Sequence, residues 1–168
     1  MVRCADLGSK GSGFLASPNG HVATNNHVVA EITLQQGGLT AAYSTAITVV
    51  IGGVSYQATL VVDPSDVRPV VYDYAILQVA SAPVASYLQL ADPAGPGRGE
   101  AVVCLGFPLD FDALIATTGV VSAVVQRPSH VNALHQMRTI VSDALLQFGS
   151  SGGPMLQASS GKVVGINT

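Results

Sequence analysis

A serine in a glycine-rich turn is the first feature of this sequence that could do chemistry. Ser151 lies in the stretch GSSGGP, residues 149–154. A serine nucleophile needs backbone N–H groups directed at the oxyanion that forms during its attack. Neighbouring glycines allow the backbone dihedrals that present those groups. Because the same composition is typical of an ordinary turn, the motif alone leaves both interpretations open.

A serine nucleophile also needs a histidine base, and His27 is the best candidate. No Asp, Glu or His follows Ser151, so the base must precede it. His27 comes just after an apolar run, whereas His21 follows Asn-Gly and is predicted to be a turn residue. His130 and His135 lie in polar sequence, and their spacing suits neither one helix face nor a metal pair.

Asp73 is the best candidate for the acid that orients the base. It lies within an apolar run, where a carboxylate is costly to bury unless something satisfies it. Exposure explains five other aspartates, which lie near Pro, Ser or loop residues: Asp63, Asp66, Asp92, Asp110 and Asp112. The order His, Asp, Ser is that of a chymotrypsin-type triad. It excludes an α/β-hydrolase elbow, in which the acid and the histidine follow the serine.

The two cysteines, Cys4 and Cys104, raise the alternative of a cysteine hydrolase that uses His27. Neither lies in a glycine-rich turn, so this hypothesis has little support. We expect both thiols to be free because they fall in different halves of the chain. One disulfide is possible by count, so the redox compartment stays open.

The composition predicts a folded globular chain. Of its 168 residues 48% are hydrophobic and 10% charged, and the formal net charge is -3. The seven Lys and Arg residues are scattered, so no basic stripe can neutralise phosphates and no nucleic-acid partner is expected. No apolar run approaches the ~18 residues of a membrane span. The first residues do not form a secretory signal, and neither a metal site nor a cofactor is expected.

Short runs rich in Val and Ile, separated by Pro, Gly and Asp-Pro turn signals, dominate the sequence. Many short strands at this spacing predict an all-β sandwich or barrel. The predicted strands are 14–16, 21–24, 46–51, 57–62, 74–79, 101–105, 119–125, 139–142 and 162–166. Residues 27–31 are predicted to form one helical turn, and residues 35–45 a loop insertion.

Residues 91–99 are predicted to be a linker, because they contain two Pro and three Gly and lack apolar periodicity. They divide the chain into an N-terminal unit, 1–90, and a C-terminal unit, 100–168. The first is predicted to have five or six strands and to carry the candidate base and acid. The second is predicted to have about five strands and to carry Ser151.

Several collinear segments resemble HtrA/DegP-type serine proteases. Residues 11–15 (GSGFL) and 20–29 (GHVATNNHVV) are similar to that group's GSGF and TN-x-HVV segments, and residues 73–77 (DYAIL) to its D-L-A strand. The similarity continues at 105–108 (LGFP), 118–123 (TGVVSA), 143–144 (DA), 149–154 (GSSGGP) and 161–168 (GKVVGINT). Each match is weak alone, but together they cover nearly the whole chain.

The resemblance implies a trypsin-like double barrel, an all-β fold of two antiparallel six-stranded-type β-barrels. It implies that Ser151, His27 and Asp73 form a triad that hydrolyses peptide bonds in polypeptides through an acyl-enzyme. The oxyanion donors would be the N–H groups of Gly149 and Ser151, and Ser150 stands where the group has Asn. An extracytoplasmic location, periplasmic or secreted, is also implied.

The same resemblance implies a substrate pocket. Leu145, six residues before the nucleophile, would lie at the base of this pocket, with Leu146 beside it and Phe148 closer to Ser151. Thr168 would contact the triad acid and the substrate backbone. An apolar base predicts small or medium aliphatic residues before the scissile bond, because burying Arg or Lys there would be costly.

Trypsin-like domains continue beyond the strand that ends at Thr168, and many HtrA-type chains carry a PDZ domain. We therefore expect a second barrel without its last strand, no PDZ domain in this chain, and self-association through the open barrel. The alternative function is a latent or non-catalytic module of the same fold that binds extended peptides or a protein partner.

Overall fold

Two curled β-sheets and one separate hairpin form the computed structural model, which describes residues 1–35, 38–61, 66–81, 84–109, 111–129 and 134–168. In chain order the elements are β1 (Val2–Cys4), β2 (Ser9–Gly11), β3 (Phe14–Leu15), β4 (His21–Thr24), α1 (Asn26–Val29), β5 (Ala30–Gln35), β6 (Gly38–Tyr43), β7 (Ile47–Ile51), β8 (Val54–Val61), α2 (Arg68–Val71), β9 (Ala75–Val79), β10 (Ala101–Gly106), β11 (Ile115–Pro128), β12 (Gln136–Ser142), β13 (Pro154–Gln157) and β14 (Val163–Ile166). The predicted all-β double barrel is confirmed, with a shorter second barrel.

The first sheet has seven strands in the order β2-β1-β7-β8-β9-β4-β3, all of them paired antiparallel. Because side chains alternate between the two faces of a strand, one face of this sheet supplies a core. Its fully buried members include Val2 in β1, Val22 in β4 and Leu77 in β9. Val28 and Val29 of α1 pack on the same core, which fixes the helix that carries His27.

The second sheet has five antiparallel strands in the order β12-β11-β10-β13-β14. Strand β11 is 14 residues long and pairs with β10 through its first half and with β12 through its second. The change of partner coincides with a register shift between Val121 and Ala123. Irregularities of this kind bend a strand and increase its twist, so the sheet curls over a core that includes Val102, Cys104 and Met155.

The prediction that residues 35–45 form a loop insertion is wrong. Strands β5 and β6 pair antiparallel from Ala30 with Tyr43 to Gln35 with Gly38. The polar and glycine-containing sequence that suggested a loop contains the turn, and the residues on both sides of it continue as strands. A turn signal marks a reversal of the chain but does not fix how far the flanking strands extend.

The predicted number of strands in the first unit, five or six, is too low. Among the described residues, nine strands precede residue 91, and β1 and β2 have only three residues each. Elements this short carry too little periodicity to be recognised. His21 is also not in the predicted turn, because it begins β4 and pairs with Gln78.

The predicted helical turn at 27–31 is displaced, since α1 covers Asn26–Val29 and β5 begins at Ala30.

Both Cys4 and Cys104 are buried free thiols, as predicted. The structure contains no strand between residues 91 and 99, and the division of the chain there remains a prediction. In the described ranges, no helix has the length and apolar character needed to cross a membrane.

Candidate active site

His27 and Asp73 contact each other through two hydrogen bonds. The ring Nδ1 of His27 lies 2.8 Å from Asp73 Oδ2, and the backbone N–H of His27 donates to Asp73 Oδ1 at 3.0 Å. The side chains are 45% and 25% exposed respectively, so the pair lies at the surface of the first sheet rather than in its core. An imidazole held at Nδ1 leaves Nε2 as the nitrogen available to a reacting group.

The contact with Asp73 raises the pKa of His27. The hydrogen bond to the carboxylate is the largest cause, partial burial of the ring lowers the pKa, and the charge of Asp73 raises it again. An imidazole that is a stronger base than usual is suited to remove a proton from a hydroxyl.

Asp73 is placed by an unusual backbone conformation. It follows α2 and has a φ of 53°, a left-handed value that is uncommon outside glycine. Asn25 holds this turn, because its buried Nδ2 donates to the Asp73 carbonyl at 2.7 Å. Thr168 Oγ1 also donates to Asp73 Oδ2 at 3.1 Å. The carboxylate therefore receives donors from both ends of the chain.

Ser151 lies in a turn between β12 and β13 that passes close to the first sheet. Gly149 and Gly152 have φ values of 93° and 88°, which glycine adopts without steric cost. A Cβ on Gly11 would lie 2.6 Å from Val28 Cγ2 and 3.1 Å from the Ser151 carbonyl oxygen. Gly11 thus separates the backbone of Ser151 from the residue that follows His27.

Two backbone N–H groups in this turn are free to bind an oxyanion. Within the described part of the chain, the N–H groups of Gly149 and Ser151 donate to no protein acceptor. Their neighbours are engaged, since Ser150 N donates to Gln147 O at 2.9 Å and Gly152 N to Asn167 O at 2.9 Å. Donors that are fixed and unpaired before reaction are what an oxyanion site requires.

A cleft of about 520 Å³ opens beside Ser151. Of the residues predicted to bind substrate, Leu146, Phe148 and Thr168 line this cleft. Leu145 does not line it. Leu145 lines a neighbouring cleft of about 240 Å³, to which Leu146 also contributes.

The structure brings His27, Asp73 and Thr168 into direct contact, but it does not join His27 to Ser151. Among the described residues, the Ser151 hydroxyl makes no hydrogen bond. Catalytic hydrogen bonds are often long in unliganded sites and tighten when substrate binds. Of the histidines set aside above, His21 bonds to Ser17 Oγ and His135 packs edge-on against Tyr72, while His130 lies outside the described residues.

Three residues of the site had no predicted role. Asn25 supports Asp73, Leu109 lines the cleft, and Ser12 bonds to the turn that carries Ser151. Asn25 and Ser12 lie inside the TNNHV and GSGF segments, so motif membership was the only signal for them. Leu109 comes just after the LGFP segment and carried no signal.

Known proteins resemble this chain over nearly its whole length. A family model described as trypsin-like peptidase domain matches residues 11–166. Serine protease HTRA2, mitochondrial, of Bos taurus is 34% identical over 95% of this chain and 31% of its own length. A probable periplasmic serine endoprotease DegP-like of Chlamydia pneumoniae is 31% identical over 95% of this chain and 28% of its own length.

A solved structure has the same architecture. An inactive form of Rv3671c from M. tuberculosis H37Rv superposes with a TM-score of 0.75 at 26% identity, covering 98% of this chain and 71% of that one. This chain spans about a third of the length of the bovine and Chlamydia relatives, 31% and 28% respectively.

Proposed function

Because this chain belongs to the trypsin-like peptidase domain family, we propose that it is a serine endopeptidase in which Ser151 is the nucleophile, His27 the general base and Asp73 the orienting acid. Polypeptides are the proposed substrates. The names of the relatives in the previous section support the reaction class. The residue assignments are supported by the geometry of the site.

The contact between His27 and Asp73 is the observation that carries the proposal. A carboxylate that accepts a hydrogen bond from Nδ1–H holds the ring in the tautomer whose Nε2 can accept a proton. The second bond, from the His27 backbone to Asp73 Oδ1, fixes the carboxylate relative to the residue that it orients. A purely structural ion pair would not require Asp73 to contact both the ring and the backbone of His27. It would also not require a nearby serine turn with free N–H groups.

The proposed reaction passes through a covalent intermediate. Ser151 Oγ attacks the substrate carbonyl carbon while His27 Nε2 takes the hydroxyl proton, and the N–H groups of Gly149 and Ser151 bind the oxyanion. The C–N bond then breaks as His27 returns the proton to the leaving amine, which leaves an acyl-enzyme on Ser151. Water activated by His27 attacks the ester, releases the carboxylic acid and restores the serine hydroxyl.

The proposed specificity is for small or medium aliphatic side chains before the scissile bond. Leu109, Leu146 and Phe148 supply apolar surface to the cleft beside Ser151. Among the described residues, none that lines this cleft has a carboxylate side chain, so a bound Lys or Arg side chain would find no acidic side chain among them to pair with.

We further propose an extracytoplasmic location. The Chlamydia relative is described as periplasmic, whereas the bovine relative is described as mitochondrial. Fractionation of the source cells with a cytoplasmic marker enzyme as control would test this, and co-purification with that marker would contradict it.

Covalent labelling by a fluorophosphonate probe tests the proposed nucleophile. The probe should label the wild-type chain once, and peptide mapping should place the adduct on Ser151. Labelling should disappear in Ser151→Ala and persist in Ser150→Ala, which alters the adjacent serine of the same turn. An adduct on another residue, or none on a folded wild-type chain, would overturn the assignment and would favour the non-catalytic alternative.

A further inference from the structure

Ser12 connects the first sheet to the turn that carries the proposed nucleophile. It follows β2, is 1% exposed, and lies in the GSGF segment. Its backbone N–H donates to the Ser151 carbonyl at 2.7 Å, and its hydroxyl donates to the Gly149 carbonyl at 2.7 Å. One buried residue of the first sheet thus holds the backbone on both sides of Ser150.

The direction of the hydroxyl bond is fixed by a third group. The backbone N–H of Phe107 donates to Ser12 Oγ at 2.8 Å. Because that oxygen is already an acceptor there, its own proton is directed to the Gly149 carbonyl. The Ser12 carbonyl in turn accepts a bond from Thr24 Oγ1 at 2.7 Å. All of the polar groups of Ser12 are therefore paired.

Hydrogen bonds hold both peptide planes that flank the Cα of Gly149. Ser12 holds the plane of the Gly149 carbonyl, and Leu109 N holds the preceding plane by donating to the Phe148 carbonyl at 2.6 Å. Two held peptide planes fix the rotation about the bonds between them, which here gives a φ of 93°. Glycine populates positive and negative φ about equally readily, so the residue itself does not select this conformation.

We infer that Ser12 is a positioning residue for the oxyanion site. Ser12 holds the peptide plane that follows Gly149, Leu109 holds the plane that contains the Gly149 N–H, and together they set the dihedrals that place this N–H relative to Ser151. This inference rests on the proposed function, in which that N–H binds the oxyanion. Ser12 itself touches no reacting atom. Its hydroxyl acts across the boundary between the two sheets, so catalytic competence depends on how the first sheet meets the turn.

The kinetic test is Ser12→Ala, which removes the hydroxyl from Gly149 and Phe107. Direct removal of an oxyanion donor lowers kcat by about 10²–10³-fold. We expect a loss of about 10- to 100-fold in kcat for loosening one of the two donors, with little change in KM. Affinity for a peptide aldehyde, which forms an oxyanion on Ser151, should fall by a similar factor.

A matched control separates positioning from simple destabilisation. Ser44 is another buried serine of the first half, and its hydroxyl bonds to Asp6 rather than to the nucleophile turn. Ser44→Ala should lower the midpoint of urea unfolding while keeping kcat near wild type. If the two variants lose kcat in proportion to lost stability, or if Ser12→Ala keeps wild-type kcat and aldehyde affinity, the inference is overturned.

A backbone measurement distinguishes failure of this inference from failure of the proposed function. In a ¹⁵N-labelled chain, Ser12→Ala should shift the Gly149 amide resonance, while amides of β1 keep their positions. That result supports the positioning role even if the wild-type chain hydrolyses no peptide. The absence of hydrolysis would contradict only the proposed function. An unchanged Gly149 amide in folded Ser12→Ala overturns the positioning role, whatever the activity.

Discussion

Both carboxylate oxygens of Asp73 contact His27: Oδ2 contacts the ring Nδ1, and Oδ1 accepts a hydrogen bond from the backbone N–H. The ring contact selects the tautomer, and the backbone contact keeps the carboxylate from rotating away. Because the ring contact also raises the pKa of His27, the geometry of the pair sets the pH range in which the base is active.

Asp73→Asn should lower kcat and move the acidic limb of the pH profile. The neutral form of His27 is the active base, so activity rises as pH passes upward through its pKa, which here lies above the usual ~6.5. The amide removes the charge and the acceptor that raise this pKa, so the limb should shift to lower pH. In the chymotrypsin-type example this substitution costs about 10⁴-fold in kcat, and we expect a comparable loss.

The profile of kcat/KM against pH measures this shift, with the wild-type chain as control.

The pH dependence of fold stability runs opposite to that of activity. A raised folded-state pKa means that the pair stabilises the fold most below the unfolded histidine value of ~6.5, and that this contribution is lost as pH rises through the folded pKa. An acidic limb that stays in place, or moves upward, in Asp73→Asn would refute the assigned role.

Thr168→Val should move the acidic limb of the pH profile to higher pH. The Thr168 hydroxyl donates to Asp73 Oδ2, and such a bond stabilises the carboxylate charge. Without it the carboxylate interacts more strongly with His27, and the pKa of His27 should rise further. The loss in kcat should not exceed about 10- to 150-fold, since a hydrogen bond to a charged group contributes about 1.5–3 kcal/mol and about 1.4 kcal/mol is a factor of ten. A limb that moves to lower pH would contradict this account.

Ser151→Ala should abolish hydrolysis while leaving the fold intact. The side chain is half-buried and its hydroxyl bonds to nothing among the described residues, so its loss removes little from the core. We expect kcat to fall by about 10⁶-fold, as when the nucleophile of another serine protease is removed. His27→Ala should cost a similar factor, and the double variant little more, because the two residues act as a unit.

Peptide turnover measured beside a thermal melt checks both parts of this prediction. Turnover above about one hundredth of the wild-type rate in a contamination-free Ser151→Ala sample would end the serine-nucleophile assignment.

The residues proposed to be catalytic were selected from the sequence because each of them has a local chemical signature. Asp73 is a carboxylate among apolar residues and Ser151 lies among glycines. The chain order then selects one kind of triad. The family resemblance predicted the contact between Thr168 and Asp73, 95 positions apart, but nothing in the sequence indicated that Asn25, 48 positions from Asp73, holds the Asp73 carbonyl.

The fold shows the same limit. Strands with a clear apolar run, such as β7, β9 and β10, were recognised, whereas three-residue β1 and β2 and the polar six-residue strands β5 and β6 were not. The assignment of Leu145 to the base of the substrate pocket stays a prediction, because Leu145 lines only the neighbouring cleft whereas Leu146 lines both. The chain from Leu145 to Phe148 contains no regular element, so no periodicity indicates which side chain faces which cleft.

Leu146 should affect the preference for the residue before the scissile bond more than Leu145 does. Leu146 lines both the cleft beside Ser151 and the neighbouring one, whereas Leu145 lines only the neighbouring one. Leu146→Ala enlarges the cleft, so the preferred aliphatic side chain should become larger. Each methylene that finds new space contributes about 0.8 kcal/mol, a several-fold change in kcat/KM.

A peptide library that varies only this position measures the preference. Leu145→Ala is the matched control, with the same change at the adjacent residue, and its profile should remain close to wild type. A wild-type profile dominated by Arg or Lys would refute the apolar cleft. A larger shift in Leu145→Ala than in Leu146→Ala would reverse the assignment of the two leucines.

Gly152→Ala should destabilise the chain and inactivate it, because there is no room for a side chain where the two sheets meet. A Cβ at Gly152 would lie 2.2 Å from the Ser12 carbonyl oxygen and 2.3 Å from Thr24 Oγ1, and the residue has a φ of 88°. The left-handed conformation alone costs roughly 1–2 kcal/mol in a residue with a Cβ. Relieving the overlap requires backbone movement, which typically costs a further 1–3 kcal/mol or so.

Gly161→Ala is the matched control for that prediction. Gly161 has a φ of 67° but nothing within 4 Å of its added Cβ, so only the conformational cost of about 1–2 kcal/mol applies. Urea unfolding should therefore place the free energy of unfolding of Gly152→Ala at least about 1 kcal/mol below that of Gly161→Ala. Fluorophosphonate labelling should be lost in Gly152→Ala alone, because only that substitution displaces Ser12 and Ser151. Equal stability and equal labelling of the two variants would show that the turn can move away from the first sheet without loss of function.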